Sequence, residues 1–188
     1  MVRRWQFGSG RPGCGRRFKK SLAWHPDEPE DHALGRSRGG FGSKLHLVTD
    51  GAGLPLAVEV SAGQVHESTC FESVMEIVRI PQSVGRPRTR PYALAADKGY
   101  SGQRIRDWLY AHKIKAVIPR KSNEHRDGRM TFDKEAYRQR SVVEQCVGWL
   151  KECRRIGTRF EKLAINFLAM LKLAMIERCL RIAFSDRA

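Results

Sequence analysis

The sequence predicts one α/β domain in which an antiparallel hairpin leads into a parallel core. Two alternating runs, KLHLVTD and LAVEVSAG, flank the turn sequence GAGLP, which is typical of a β-hairpin. Two short apolar runs, PYALAAD and IKAVIPR, alternate with helix-period segments, which is typical of parallel strands joined by helices. With 188 residues, 41% of them hydrophobic, the chain is long enough to bury one such core.

Four helices are expected between and after these strands. ESTCFESVMEIVRI and SGQRIRDWLYAHK have apolar residues at helical spacing, and each has an expected N-cap near its start (Ser68 or Thr69, and Ser101). The third helix is expected to begin near Phe132 or Asp133, and the last to run from about Leu163 to Phe184. The resulting order is strand, strand, helix, strand, helix, strand, helix, helix, with a further strand upstream left open.

Residues 1–43 form a basic leader and linker rich in Gly, Arg and Pro, which we predict to be disordered. The first 24 residues hold seven Lys or Arg, four Gly and no acid, without a period of 2 or 3.6. The following stretch, HPDEPEDHALGRSRGGFGS, reads as a linker because it is rich in Pro and Gly. Order is therefore expected to begin at Lys44, and the domain to cover residues 44–188.

The charge balance predicts a polyanionic partner. Thirty-five Lys and Arg against 20 Asp and Glu give a net charge of +15, which favours nucleic acid over an anionic membrane surface. No apolar run reaches about 18 residues without a charge, and no signal peptide is evident, so we expect a cytoplasmic protein without a membrane partner. Five cysteines without a CxxC pair predict free thiols rather than a zinc site.

One helix has a stripe of functional side chains. At about 100° per residue, Tyr137, Arg140, Glu144 and Lys151 fall within an arc of about 60°. The opposite side of the same helix is apolar (Val143, Cys146, Val147, Leu150). A solvated helix face commonly carries charges, so this stripe alone does not separate a functional surface from an ordinary one.

Asp97 ends the apolar run PYALAAD and is followed by a glycine-containing turn. An acid there is either a turn residue or, at the carboxyl end of a central strand, part of an active site. An acid ending a strand, a Glu on a later helix and a basic chain together suit two-metal phosphoryl transfer on nucleic acid. Mg²⁺ is a hard cation that prefers oxygen ligands, and Arg140 and Lys151 could neutralise phosphates. Tyr137 could stack on a base or hydrogen-bond to a phosphate.

The spacing Y-(2)-R-(3)-E-(6)-K, formed by Tyr137, Arg140, Glu144 and Lys151, resembles the signature of DDE-type bacterial insertion-sequence transposases. The blocks GRSRGGFGSKLHLVTDGAGLPLAVEVSAGQVHEST and ALAADKGYSGQRIRDWL are similar to those of the insertion-sequence-five group, within the insertion-sequence four/five superfamily. The resemblance implies a ribonuclease-H-like mixed sheet flanked by helices, and metal-dependent DNA cleavage and transfer. It implies Asp97 and Glu144 as the second and third catalytic acids, which are the metal ligands, and Tyr137, Arg140 and Lys151 as DNA-binding residues.

The same resemblance implies cofactors and partners. The cofactor would be Mg²⁺, with Mn²⁺ as a substitute. The partners would be transposon ends and target DNA, bound by a homo-oligomer associated with the nucleoid.

The sequence departs from the family at the first catalytic acid. That acid belongs to an upstream strand, but the leader has no acid before Asp27. Asp27 and Asp31 lie among prolines, and Asp50 stands in the turn sequence DGAG, so none is nominated. The chain would then be a downstream portion of a transposase, joined to the product of an upstream reading frame by frameshifting, or a decayed copy. Two alternatives stay open, a ribonuclease-H-like nuclease and a non-catalytic DNA-binding fragment.

The histidines in these blocks have two interpretations. His66 is either a residue that orients the site or a strand-end histidine with a structural hydrogen bond. His46 alternates with apolar neighbours and is expected to be structural. The basic loop with Arg120, Lys121, Arg126 and Arg129 is either solvated or the wall of a DNA channel.

Overall fold

The computed structural model describes residues 4–10, 32–37, 40–121 and 132–185. The strands are β1 (Arg4–Gly10), β2 (Gly35–Ser37), β3 (Gly40–Asp50), β4 (Pro55–Ala62), β5 (Ala93–Ala96) and β6 (Lys115–Val117). The helices are α1 (Phe71–Ile77), α2 (Gln103–Ala111), α3 (Lys134–Arg138), α4 (Ser141–Glu152), α5 (Arg154–Gly157) and α6 (Ala164–Ser185). Two 3-10 turns, Glu67–Cys70 and Lys98–Tyr100, precede α1 and α2.

The strands form a mixed sheet. β4 pairs with β3, β3 with β1, β1 with β5 and β5 with β6, while the short β2 pairs with the start of β3. β1, β5 and β6 are parallel to one another, and β3 is antiparallel to both β1 and β4. The predicted hairpin and the predicted parallel core are therefore both confirmed.

β1 corrects the prediction that the leader is disordered. Arg4–Gly10 lies between β3 and β5, antiparallel to the first and parallel to the second. Its sequence, RWQFGSG, has little apolar alternation, but a central strand is stabilised by backbone hydrogen bonds on both sides whatever its side chains. β2 and the first residues of β3 also precede Lys44, so order does not begin there. Residues 11–31 lie outside the described residues, and the division at residue 44 stays a prediction.

Helices cover both faces of the sheet. On one face α1 and α2 bury Phe71, Tyr100 and Leu109 against Val48 and Leu94. On the other face α4 and α6 form a second cluster with β3 and β4, which includes Leu45, Leu47, Val143, Leu150, Phe167 and Leu171. Each such side chain contributes about 1.5–3 kcal/mol when it is fully buried, so these two clusters hold the helices in place.

The helix ends differ in detail from the predictions. The His66 side chain, rather than Ser68 or Thr69, caps the turn before α1 by accepting from the Ser68 amide. α2 has Gly102 at its N-cap, and Ser101 makes no such cap. These ends are decided by the turns that precede the helices, which periodicity does not detect.

The predicted Tyr137 helix is two helices. Asp133 caps α3 by accepting from the Ala136 amide, as the predicted start near this residue requires. The chain then turns at Gln139 and Arg140, both still in right-handed helical conformation, before α4 begins. The last helix, α6, begins and ends one residue later than predicted. None of the helices in the described parts of the chain has the length and apolarity needed to cross a membrane.

Candidate functional site

Asp97 lies at the carboxyl end of a fully buried strand. All four residues of β5 are buried, because β5 lies between β1 and β6 and is covered on both faces. The turn that follows is anchored by Tyr100, which is buried against Phe71. Asp97 itself is extended, and its side chain is half exposed. The sheet therefore presents this carboxylate at its edge, where polar ligands can reach it.

Glu144 reaches the same edge from the first turn of α4. The helix buries Val143, Cys146, Val147 and Leu150 against the sheet, so Glu144 is exposed on its outer side. Arg140, at the N-cap of α4, lies between the two acids. Its Nη2 is 2.7 Å from Glu144 Oε1, and its Nη1 is 3.4 Å from Asp97 Oδ1. One guanidinium thus contacts both carboxylates.

Tyr137 completes this group. Its hydroxyl donates a long hydrogen bond, 3.5 Å, to Asp97 Oδ1. The Arg140 guanidinium lies 5.4 Å from the centre of the Tyr137 ring, at cation–π distance. The Phe132 ring packs against Tyr137, with the two ring centres 5.4 Å apart. Arg140 is therefore held by two acids and one aromatic ring.

The electrostatics keep Arg140 charged. Burial of the guanidinium is the largest single influence and lowers its pKa, but the attraction of Asp97 and Glu144 together outweighs it and raises the pKa of Arg140. Its Nε is buried and has no hydrogen-bond partner among the described residues. The site in this state is a fixed cation between two carboxylates.

Lys151 lies outside this group. It is exposed on the outer side of α4, seven residues after Glu144 and so about 10 Å further along the helix. Within the described residues it makes no ion pair. The structure therefore brings together Asp97, Tyr137, Arg140 and Glu144, and it leaves Lys151 on the rim of the same face.

The described residues do not fit a pair of metal ions. Among the described residues, no three His, Cys, Asp or Glu side chains are placed to hold a metal. Phe7 of β1 pairs with Ala96 of β5, so the residue beside Asp97 is Gly8. A Cβ on Gly8 would lie 2.9 Å from Val143 on α4, so this position faces the helix that bears Glu144. A third acid could lie there, but the residue is glycine.

Among the described residues, the other acid considered as the first catalytic acid does not supply a carboxylate beside Asp97. Asp50 lies at the opposite edge of the sheet, because β3 is antiparallel to β1 and Asp50 pairs with Trp5. Its Oδ1 accepts hydrogen bonds from the amides of Ala52 and Leu54, which confirms the turn interpretation. Asp27 and Asp31 lie outside the described residues.

The sequence did not single out Lys44 and Glu67. Lys44 is buried in β3, where it pairs with Ser61 of β4, and its Nζ donates to the Val65 carbonyl. The same Nζ lies 3.8 Å from Glu67, whose carboxylate lies against Gly99, two residues after Asp97. Lys44 occupies a polar position in an alternating strand, so only its burial distinguishes it. This ion pair supports the turn that follows Asp97.

The histidines are structural in their contacts. His46 is buried, and its Nε2 shares a 2.7 Å hydrogen bond with the Ser61 hydroxyl, as the alternation of β3 predicts. Burial, with a smaller effect from Lys44, lowers the pKa of His46 to about 4. His66 is exposed and bonds Ser68 through Nδ1. Of the predicted basic loop, Arg126 and Arg129 lie outside the described residues.

Comparison with known proteins shows the family of this chain. Residues 12–176 match the family described as the transposase DDE domain. The chain is 34% identical over 139 residues to a protein named as a transposase for insertion sequence element IS402 of Burkholderia cepacia. That match covers 73% of the chain and 63% of the relative, so the chain spans less than two thirds of that protein.

A second relative is matched over nearly all of its length. It is a protein named as a transposase for insertion sequence element IS6501 of Brucella ovis, 30% identical over 132 residues. This match covers 70% of the chain and 93% of the relative. The chain belongs to the transposase DDE domain family, which implies dependence on a divalent metal.

Proposed function

We propose that this chain is the catalytic-domain portion of a transposase of the insertion-sequence-five group, which acts on transposon ends and target DNA. The observation that carries the proposal is the meeting of Asp97 and Glu144 at one guanidinium, although they lie on different elements of the fold. Membership of the transposase DDE domain family supports the same assignment.

The sheet supports a ribonuclease-H-like fold. A parallel trio, β1, β5 and β6, is extended on one side by β3, which is antiparallel to β1, and by β4, which is antiparallel to β3. This places the first strand at the centre, beside the strand that ends in Asp97. Glu144 then approaches from a helix packed on one face. The arrangement brings acids from distant parts of the sequence to one edge of the sheet.

The stripe next to these acids is proposed to bind DNA. Arg140 carries two guanidinium nitrogens that already contact oxygen anions, and a phosphate offers the same bidentate geometry. Tyr137 lies beside it with an aromatic face and a hydroxyl, and Lys151 extends the positive charge along α4. The net charge of +15 supports a polyanionic partner of this kind.

The family implies a divalent metal, which is Mg²⁺ in our proposal with Mn²⁺ as a substitute. When bound, it would supply activation of the nucleophile and neutralisation of phosphate charge. Asp97 and Glu144 are proposed as two of the metal ligands. Because Gly8 occupies the position beside Asp97, the described residues do not complete the site. We propose that cleavage and transfer need a first acid from elsewhere, for example from the product of an upstream reading frame. Copies of the chain would assemble on the DNA, and so be associated with the nucleoid in the cytoplasm.

A non-catalytic DNA-binding fragment is the second candidate, and the glycine beside Asp97 favours it for the chain alone. The test incubates the 188-residue chain with a labelled transposon-end duplex in Mg²⁺ or Mn²⁺. We expect DNA binding without nicking or joining. Cleavage without strand joining would instead support the hydrolytic nuclease. Absence of DNA binding at low salt would overturn both the transposase and the DNA-binding proposals.

A further inference from the structure

The guanidinium of Arg140 lies behind the two acids that it contacts. The Arg140 side chain is 16% exposed, whereas the side chains of Asp97 and Glu144 are 50% and 61% exposed. A polyanion that approaches this edge of the sheet therefore meets the carboxylates before it meets the cation. Two carboxylates and one guanidinium also leave one negative charge uncompensated. This part of the edge repels phosphate, although the chain as a whole, with a net charge of +15, attracts it.

The acids occupy the nitrogen atoms that a phosphate would need. Nη2 of Arg140 is 2.7 Å from Glu144 Oε1, and Nη1 is 3.4 Å from Asp97 Oδ1. A guanidinium binds phosphate most strongly through two parallel N–H donors. A phosphate at the same nitrogens would bring a third anion against two carboxylates, and like-charge repulsion opposes that arrangement. Arg140 therefore has to leave the acids when it binds phosphate.

Leaving the acids costs little. The contact with Glu144 joins neighbouring turns of the chain, and exposed pairs of this kind change an equilibrium by about fivefold or less. The Nε of Arg140 is buried and has no hydrogen-bond partner among the described residues. A bidentate phosphate contact through Nε and one Nη would supply the partner that Nε lacks. The guanidinium is thus better satisfied by a phosphate than by the two acids.

Lys151 differs from Arg140 in this respect. It is exposed on the same helix and makes no ion pair within the described residues. It can therefore contact a phosphate without giving up a partner. Any effect that the acids exert through Arg140 should be absent for Lys151, which makes Lys151 a matched cation for a test.

We propose that Asp97 and Glu144 inhibit DNA binding at this edge through their contacts with Arg140, and that Arg140 exchanges the two carboxylates for a DNA phosphate when duplex binds. This inference rests on the proposed function, because it concerns the regulation of the same DNA surface. It adds that the acids and the DNA compete for one guanidinium. Neutralising the acids should therefore strengthen DNA binding, even though both acids are proposed to serve catalysis.

The first test measures affinity for a duplex of unrelated sequence by fluorescence anisotropy, at low salt and with EDTA. Glu144→Gln should raise the affinity for two reasons, because it removes a repelling charge and because it releases Arg140. In an Arg140→Ala chain only the first reason remains, so the gain should be about two- to fivefold smaller. In a Lys151→Ala chain the gain should be as large as in the unmodified chain, which controls for weaker binding overall.

A matched acid completes this comparison. Glu152 is exposed at the end of α4 and makes no ion pair within the described residues. Glu152→Gln should raise the affinity by the same factor whether or not Arg140 is present, because only a general repulsion is removed. Circular dichroism of each variant checks that it is folded.

The second test observes the guanidinium directly by NMR of a chain with isotope-labelled arginine. The Arg140 signal is identified by its absence in Arg140→Lys. Without DNA, this signal should differ between the unmodified chain and the double variant Asp97→Asn with Glu144→Gln, because the guanidinium contacts two carboxylates only in the former. At saturating duplex the difference should be largely lost, because a phosphate has replaced the acids in both chains.

Two results would overturn the exchange of partners. One is a gain from Glu144→Gln that is equal with and without Arg140. The other is an Arg140 signal that differs between the two chains as much at saturating duplex as without DNA, since the guanidinium then stays with the acids. Failure of the DNA-binding proposal itself gives a different result, because no chain would then bind the duplex at low salt.

Discussion

An acid placed at residue 8 should create the metal site that the described residues lack. Gly8 follows Phe7, which pairs with Ala96, so it lies beside Asp97 on a neighbouring parallel strand. Neighbouring strands are about 4.8 Å apart, which puts carboxylates at residues 8 and 97 within reach of one cation. Glu144 approaches the same point from α4. The variant Gly8→Asp therefore supplies a third oxygen donor to this edge of the sheet.

The structure also predicts what this change costs. A Cβ at residue 8 would meet Val143 Cγ1 at 2.9 Å and Cγ2 at 3.1 Å, so Gly8→Asp alone overpacks the contact with α4. Overpacking of this kind costs about 1–3 kcal/mol. Val143→Ala removes both methyl groups, at about 0.8 kcal/mol of lost burial for each. We expect the double variant to be about 1–2 kcal/mol less stable than the unmodified chain without metal.

Metal should reverse this loss. Arg140 already lies between two of the carboxylates, so the third adds a negative charge that is uncompensated until a cation binds. A metal that binds only the folded state stabilises it by about 2.7 kcal/mol at 100 times its Kd. The assay is thermal unfolding with increasing Mg²⁺ or Mn²⁺, together with calorimetric titration. The control is Gly8→Asn with Val143→Ala, which matches the shape without the charge. If both double variants fold and bind Mn²⁺ equally weakly, the placement of Gly8 beside Asp97 is wrong.

Three further predictions follow from particular contacts. Arg140→Ala and Lys151→Ala should each reduce the slope of log DNA affinity against log salt concentration by about one, measured by fluorescence anisotropy. An unchanged slope would mean that the residue does not contact DNA. Because burial lowers the pKa of His46 to about 4, its stabilising contribution is fully present above about 6.5 and is lost as pH falls from there towards 4. His46→Gln should flatten the unfolding free energy over this range, and an unchanged pH profile would contradict the assignment. The buried Arg159 guanidinium donates to the carbonyls of His32, Ala33 and Glu161. Arg159→Ala should therefore destabilise the chain by at least about 3 kcal/mol, measured by urea unfolding. Arg159→Lys should recover only part of that loss.

Local pattern accounts for the parts of the fold that were predicted correctly. The alternation in KLHLVTD and LAVEVSAG predicted β3 and β4, and helical spacing predicted α6 to within one residue at each end. In both cases one face of the element is buried, so apolar residues recur in the sequence with the period of a strand or of a helix. Asp97 was placed correctly at a strand end for the same reason, because the apolar run before it is a buried strand.

Tertiary structure alone decided three further features. β1 has little periodicity of its own and is ordered by pairing with β3 and β5, residues about 40 and 90 positions away. The guanidinium of Arg140 lies between Asp97 and Glu144 because α4 packs on β1 and β3, next to the strand that ends in Asp97. A helical projection shows only that Arg140 and Glu144 share a face. The position of Gly8 beside Asp97 could be inferred only from the register of β1 against β5. Strand order and register are set by contacts between distant segments, so they cannot be predicted from the periodicity within one segment.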